Sequence, residues 1–181
     1  MVGTRHFVGY LLKLTIMSSS TSALATYNQF LADEDATNAL AQRLAQAVQP
    51  LESSVHLYLE GDLGAGKTAF TRAFLRALGV TGRIKSPSYA LLENYKVSNF
   101  NLYHLDFYRF NDPEEWVEAG FRDILEEKAV VLIEWPEKAG GLLPHPDLTL
   151  HLEYQGEGRD LTITAYSNKG QTWLNTLNQS I

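Results

Sequence analysis

Eight consecutive residues, Gly61-Asp62-Leu63-Gly64-Ala65-Gly66-Lys67-Thr68, fit the pattern Gly-x-x-x-x-Gly-Lys-Ser/Thr. The chemistry of that pattern is the cradling of a polyphosphate. Glycines let the backbone turn tightly and point successive N–H groups at phosphate oxygens. A helix opening directly after the loop aims its positive end at the same place. In such a loop Lys67 reaches the β- and γ-phosphates and the Thr68 hydroxyl ligates Mg²⁺. The run Asp62, Leu63, Gly64, Ala65, Gly66, Lys67, Thr68 and Ala69 is therefore expected to contact a bound nucleotide.

A phosphate loop works together with an acidic side chain at the end of a neighbouring strand. That acid holds the metal's water shell or positions the attacking water. Asp106 ends Asn-Leu-Tyr-His-Leu-Asp, and Glu134 ends Val-Val-Leu-Ile-Glu. Both follow strand-like runs, and open α/β sheets bind ligands at the carboxyl ends of their strands. Lys67, Asp106 and Glu134 are the candidate catalytic residues, and Thr68, Asp106 and Glu134 the candidate metal ligands. Either acid can be the one nearer the ion, with the other orienting water.

Other residues have weaker claims. Ser86 and Ser88, on either side of Pro87, offer hydroxyls that can sense a γ-phosphate, as switch loops do. The alternative is an ordinary loop entering a strand. His104 is expected to fill a buried or edge-strand position and not to bind metal. Arg109 either brings positive charge towards phosphate or pairs with Asp112 or Glu114. Trp135-Pro136 is either a core plug or a surface that packs on nucleotide or partner. The nearest approach to a guanine-reading Asn/Thr-Lys-x-Asp motif is Asn168-Lys169-Gly170-Gln171, which lacks the carboxylate that accepts the guanine N1 and N2 protons. ATP and its product ADP are favoured over GTP.

These residues need elements to position them. Val55 to Leu59 reads as a buried strand entering the loop, and Lys67 to Leu78 as the helix leaving it, stopped by Gly79. Upstream, Asp33 to Gln49 has helical periodicity, an acidic start and Pro50 at its end. Ser88 to Val97 and Asn101 to Phe107 read as an antiparallel pair. A helix is expected to start near Pro113. Val130 to Ile133 is a strand covered on both faces. Leu148 to Tyr154 and Leu161 to Tyr166 form a hairpin across Gln155–Gly158, and Gln171 to Leu177 a short closing helix. The whole predicts an α/β class: one P-loop NTPase-like domain whose mixed parallel and antiparallel sheet is flanked by helices.

The chain has 181 residues, 45% hydrophobic and 20% charged, as ordinary globular domains do. Its formal net charge of −6 argues against gripping a nucleic-acid backbone unaided, because phosphate neutralisation supplies most of that affinity. The absence of cysteine excludes disulfides, thiolate metal sites and cysteine nucleophiles. No apolar run approaches the ~18 residues of a transmembrane helix. Phe7 to Ile16 is apolar but interrupted by Lys13, so a signal peptide is disfavoured even though Ala23-Leu24-Ala25 resembles a cleavage site. A simpler reading makes Met17 the start and residues 1–16 an upstream extension, with Ser18 to Ser22 a disordered tail. The expected division is an extension over residues 1–25 and a nucleotide-binding domain over 26–181, in the cytoplasm and with no membrane contact.

Four segments in order, GDLGAGKT (61–68), SPSY (86–89), YHLDFYR (103–109) and IEWPE (133–137), resemble the TsaE (YjeE) family of small bacterial P-loop ATPases. The resemblance covers roughly residues 30–166. It implies an ATPase, slow alone and partner-dependent, that binds ATP or ADP with Mg²⁺. It further implies support of a TsaB–TsaD heterodimer in N6-threonylcarbamoyladenosine modification of tRNA adenosine 37, with tRNA met only inside that complex. Carried onto this chain, Lys67 and Thr68 match the family's phosphate and Mg²⁺ residues. Asp106 matches its Walker-B-like Asp, and Glu134 its acid before a tryptophan, here Trp135, which the resemblance places at the nucleotide. Ser86 and Ser88 match its switch-like segment, where the family more often has Ser-Pro-Thr. Two rivals stand beside this reading. A small-molecule P-loop kinase would want an arginine-rich lid, and the stretch after Phe107 offers only Arg109 and Arg122. A nucleotide-dependent, non-catalytic scaffold would use the same residues as the ATPase.

Overall fold

The protein is described here from a computed structural model covering residues 22–48, 53–97 and 99–178. The upstream extension and the Ser18–Thr21 part of the tail lie outside the described residues, as does Pro50. In chain order the elements are β1 (Ala25–Leu31), α1 (Glu34–Gln46), β2 (Val55–Glu60), α2 (Lys67–Ala77), β3 (Leu92–Lys96), β4 (Asn101–Asp106), α3 (Glu115–Glu118), α4 (Arg122–Glu126) and β5 (Ala129–Glu134). A 3₁₀ turn (Pro136–Ala139), β6 (Leu148–Gln155), β7 (Gly158–Ala165) and α5 (Asn168–Asn178) complete the chain.

All seven strands join one sheet in the order β1-β7-β6-β2-β5-β4-β3. The centre is parallel, β6-β2-β5-β4, and both flanks are closed by antiparallel pairing, β1-β7-β6 on one side and β4-β3 on the other. The reason lies in the composition of the strands. β5 is apolar up to its final Glu134, and β2 and β4, each with one histidine among apolar residues, are buried with it on both faces, as central parallel strands must be. Because β2, β4 and β5 run parallel, their carboxyl ends share one edge of the sheet. The phosphate loop, Asp106 and Glu134 all emerge there, and Asp106 lies directly opposite Glu134 in the β4–β5 register.

Side chains alternate across the pleat. Leu102 of β4 and Val130 and Leu132 of β5 face a core shared with α1, α2 and α5, while Tyr103, Leu105, Val131 and Ile133 face a second core under Phe107, Trp116 and Leu125. The period of two therefore puts His104, Asp106 and Glu134 on the α2 side of the sheet. α2 docks there through Phe70, Ala73, Phe74 and Leu75. α1 is started by the Asp33 side chain, which accepts from the Ala36 amide at 2.8 Å, and it packs beside α2. Among the described residues no helix is long and apolar enough to cross a membrane.

Four expectations need adjustment. β1 has no counterpart in the pattern reading, and the sheet reaches back to Ala25. The strand expected from Ser88 begins only at Leu92: Leu91 adopts φ 67°, and its amide bonds to Pro87 O at 2.6 Å, so residues 88–90 form a turn instead. The hairpin loop is tighter than expected, because Gln155 and Gly158 still pair and leave a two-residue turn with Gly156 at φ 57°. α5 opens at Asn168, three residues before the predicted Gln171.

Candidate functional site

Gly61 turns the chain off β2 at φ 125°. A Cβ built there would sit 2.2 Å from the Leu152 carbonyl oxygen of β6, so only glycine allows the loop to pass this close to a strand. Gly66 then caps α2 with no side chain occupying its first amides. The loop thus presents free helix N-terminal N–H groups where a phosphate would sit.

The Lys67 side chain turns back into the loop. Its Nζ donates to Gly61 O at 2.6 Å and Asp62 O at 2.8 Å. The Trp135 ring lies over it, 3.8 Å from centroid to ammonium. Burial pulls the Lys67 ammonium below the usual lysine range, and the carboxylates of Glu134, Glu137, Asp106 and Asp62 pull the other way. Trp135 reaches this position because its backbone is left-handed, φ 59° and ψ 48°, a conformation that a bulky residue adopts at a cost of about 1–3 kcal/mol. Its amide donates to Leu59 O at 3.2 Å, and Tyr108 packs on its ring at 5.2 Å.

One residue further, the Thr68 hydroxyl stands 2.9 Å from both carboxylate oxygens of Glu134. Glu134 is almost wholly buried and is also met by His104 Nε2, 2.8 Å from Oε1. Asp106 is held differently. Its Oδ2 accepts from the Ser86 hydroxyl, and its Oδ1 accepts from the Tyr108 amide at 2.9 Å. Ser86 Oγ in turn accepts from the Ser88 amide at 3.2 Å. One carboxylate is thus tied to the helix and the sheet, and the other to the 85–91 loop.

These groups line a cleft of about 300 Å³. Thr68, Ser86, Asp106, Tyr108, Arg109, Glu134 and Trp135 face it together with Leu63, Gly64, Gly66, Lys67, Ala69 and Ser88. Asp62 contributes its backbone carbonyl to Lys67, and Ala65 lines a cleft on the loop's other side. Arg109 stacks over Tyr89 at 3.8 Å, and no ion pair joins it to Asp112 or Glu114 among the described residues. Lys169, in the sequence nearest to a guanine motif, pairs instead with Asp147, 3.4 Å away, beside the amino-terminal half of β2.

Thr68, Glu134 and Asp106 offer only hard oxygen donors, which fit Mg²⁺. Among the described residues no cluster of three or more His, Cys, Asp and Glu side chains forms a complete metal cage.

The second cleft, about 240 Å³, was not legible in the sequence. Leu31 lines it from the end of β1, Asp33 and Thr37 from the start of α1, and Gly158 and Arg159 from β7. It shares Gly64, Gly66 and Ala69 with the first, so the two clefts flank the phosphate loop. Arg159 is fixed there by a 3.2 Å hydrogen bond from Nε to Ala65 O and by stacking on Tyr154 at 4.2 Å. No local pattern marks Thr37 or Arg159, which meet only through the β1–β7 pairing and the α1 packing.

A family model described as "Threonylcarbamoyl adenosine biosynthesis protein TsaE" matches residues 31–161. A relative from Haemophilus influenzae, named tRNA threonylcarbamoyladenosine biosynthesis protein TsaE, is 37% identical over 150 residues, 82% of this chain and 95% of its own length. One of the same name from Bacillus subtilis is 35% identical over 134 residues, 74% of this chain and 82% of its own. The crystal structure of Bacillus subtilis YdiB superposes with a TM-score of 0.72 at 28% identity, covering 86% of this chain and 95% of that one.

Proposed function

The chain belongs to the TsaE family and so to tRNA threonylcarbamoyladenosine biosynthesis, and from that premise we propose that it binds Mg-ATP and hydrolyses it in support of a TsaB–TsaD heterodimer. The observation that carries the nucleotide part is the meeting of Thr68, Glu134 and Asp106 at the mouth of a loop with free helix N-terminal amides.

The phosphates lie on the loop amides, with the terminal phosphate towards Lys67 and the two carboxylates. The nucleoside end lies on the opposite side of the loop, where Thr37 and Arg159 offer a hydroxyl and a guanidinium. Thr68 and Glu134 would hold the ion, which would supply neutralisation of phosphate charge. Asp106, bonded to Ser86, is the better placed acid to orient water and to transmit the state of the terminal phosphate to the 85–91 loop. Lys67 exchanges its two loop carbonyls for phosphate oxygens. Among the described residues Arg109 is the one arginine lining the phosphate cleft, so little cis charge is available to the transition state and turnover of the isolated protein is slow. The partner heterodimer raises it. The acidic chain meets tRNA only within the assembled complex.

Calorimetric titration of the full chain with ATP and ADP, with Mg²⁺ and with EDTA, tests the nucleotide part. Saturable binding tightened by Mg²⁺ and lost in Lys67→Ala is expected. Binding that ignores both the ion and the substitution would refute it.

A further inference from the structure

Packing alone does not explain why residue 104 is histidine. Its face of the sheet carries Leu102 on β4 and Val130 and Leu132 on β5, all buried against α2, and the imidazole itself is fully buried. An aliphatic side chain would fill this place without leaving a ring nitrogen unsatisfied. Yet among the described residues Nδ1 of His104 has no hydrogen-bond partner. Within the described residues, the ring's polar contact is Nε2 with Glu134 Oε1 at 2.8 Å. A carboxylate offers only lone pairs, so Nε2 is the protonated nitrogen and the donor.

We propose that His104 is a positioning residue that holds the Glu134 carboxylate in its ion-facing orientation from beneath. This rests on the Mg-nucleotide reading above and deepens it. Among the described residues Glu134 has two donors, Thr68 from α2 and His104 from β4. Thr68 is itself expected to ligate the ion, so its hydrogen bond to Glu134 must be remade when the ion arrives. His104 faces away from the cleft and has no such second duty: it is not among the residues lining the cleft, and Glu134 is. It is therefore the donor that keeps the carboxylate oriented throughout. β4 and β5 provide the rigidity, since Asp106 pairs with Glu134 and His104 sits one pleat behind Asp106 on the same face. Asp106 has no counterpart to this support, because both of its donors come from loops. The site thus combines one fixed acid and one loop-coupled acid.

The test measures ADP affinity of the full chain in Mg²⁺ and in EDTA. The ratio of the two is the ion's coupling to the nucleotide. In His104→Leu, which refills the buried space without a donor, the coupling is expected to fall about 10- to 100-fold, the usual loss on removing an outer partner of a metal ligand. Affinity in EDTA should stay within about twofold, since the loop amides and Lys67 are untouched. His104→Gln, whose amide nitrogen reaches the place of Nε2, should restore most of the coupling. A His104→Leu protein with wild-type coupling, or one that loses EDTA and Mg²⁺ affinity in equal measure, would overturn the assignment. If the leucine variant does not fold, the comparison passes to His104→Gln against the shorter His104→Asn. Retention in the first and loss in the second is then expected, and equal coupling in both would overturn it. A wild-type chain with no Mg²⁺ dependence would sink the Mg-nucleotide reading as well, which separates that failure from this one.

Discussion

Replacing Thr68 by valine keeps the volume and β-branching of the side chain and removes one hydroxyl. The hydroxyl lies 2.9 Å from each oxygen of a carboxylate that is only 2% exposed, so its loss leaves Glu134 with His104 as its remaining donor. A hydrogen bond to a charged group contributes about 1.5–3 kcal/mol to stability. In a domain of this size each kcal/mol moves the melting midpoint by roughly 2–4 °C. A loss of about 2 kcal/mol should thus lower Tm by ~4–8 °C in the nucleotide-free protein. Differential scanning calorimetry measures it directly. A double-mutant cycle with Glu134→Gln isolates the pair, and the two substitutions should be clearly sub-additive because they remove one interaction. The same variant should bind ADP in EDTA as the wild type does and gain little from Mg²⁺. An unchanged melting midpoint together with intact Mg²⁺ enhancement would show that the Thr68–Glu134 contact has neither the structural nor the ion-holding role given to it.

Gly61→Ala should cost about 2 kcal/mol or more by urea unfolding, since its Cβ would meet the Leu152 carbonyl at 2.2 Å at a positive φ; a cost under about 0.5 kcal/mol would contradict the close approach. Arg159→Ala should weaken ADP binding about tenfold, or ~1.4 kcal/mol, and leave inorganic pyrophosphate binding unchanged; equal losses for both ligands would place Arg159 at the phosphates instead. Stability should fall with acidification because of His56. Burial is the main cause holding its imidazole below the usual value of 6.5, partly offset by Leu125 O and Asp147. Below pH 6.5 the unfolded chain therefore takes up a proton that the folded chain resists, so stability drops as pH falls from 6.5 towards the lowered value. Melting curves of His56→Gln should show a shallower acid slope than the wild type, and an identical slope would remove His56 as the cause.

The phosphate loop was legible because its requirements are local: glycines for tight turning, a strand before and a helix after. Asp106 and Glu134 were legible because each closes a strand-like run, wholly apolar before Glu134 and broken by His104 before Asp106, and a central strand buries such a run on both faces. The two antiparallel neighbours, β3–β4 and β6–β7, were legible as well, and what sequence left open was the pairing between strands distant in the chain. β1 escaped notice because its inward positions are Ala25, Tyr27, Gln29 and Leu31 while Phe30 points outward half-exposed, so an edge strand lacks a clean alternation. Arg159 and Thr37 converge only after β7 and α1 are placed. The question of which acid stands nearer Thr68 turns on the Glu134 side chain, which no spacing rule reports. Trp135 reaches Lys67 through a left-handed backbone that a tryptophan seldom adopts, and nothing before Pro136 announces it.

The measurement closest to the central claim is the rate of ATP hydrolysis by the full chain, alone and with a purified TsaB–TsaD heterodimer, beside the Lys67→Ala variant. A slow rate alone, a clear rise when the heterodimer is added, and no rise in the variant are expected. A wild-type rate indifferent to the heterodimer, or an equal rise with Lys67→Ala, would contradict a partner-stimulated ATPase working through this loop.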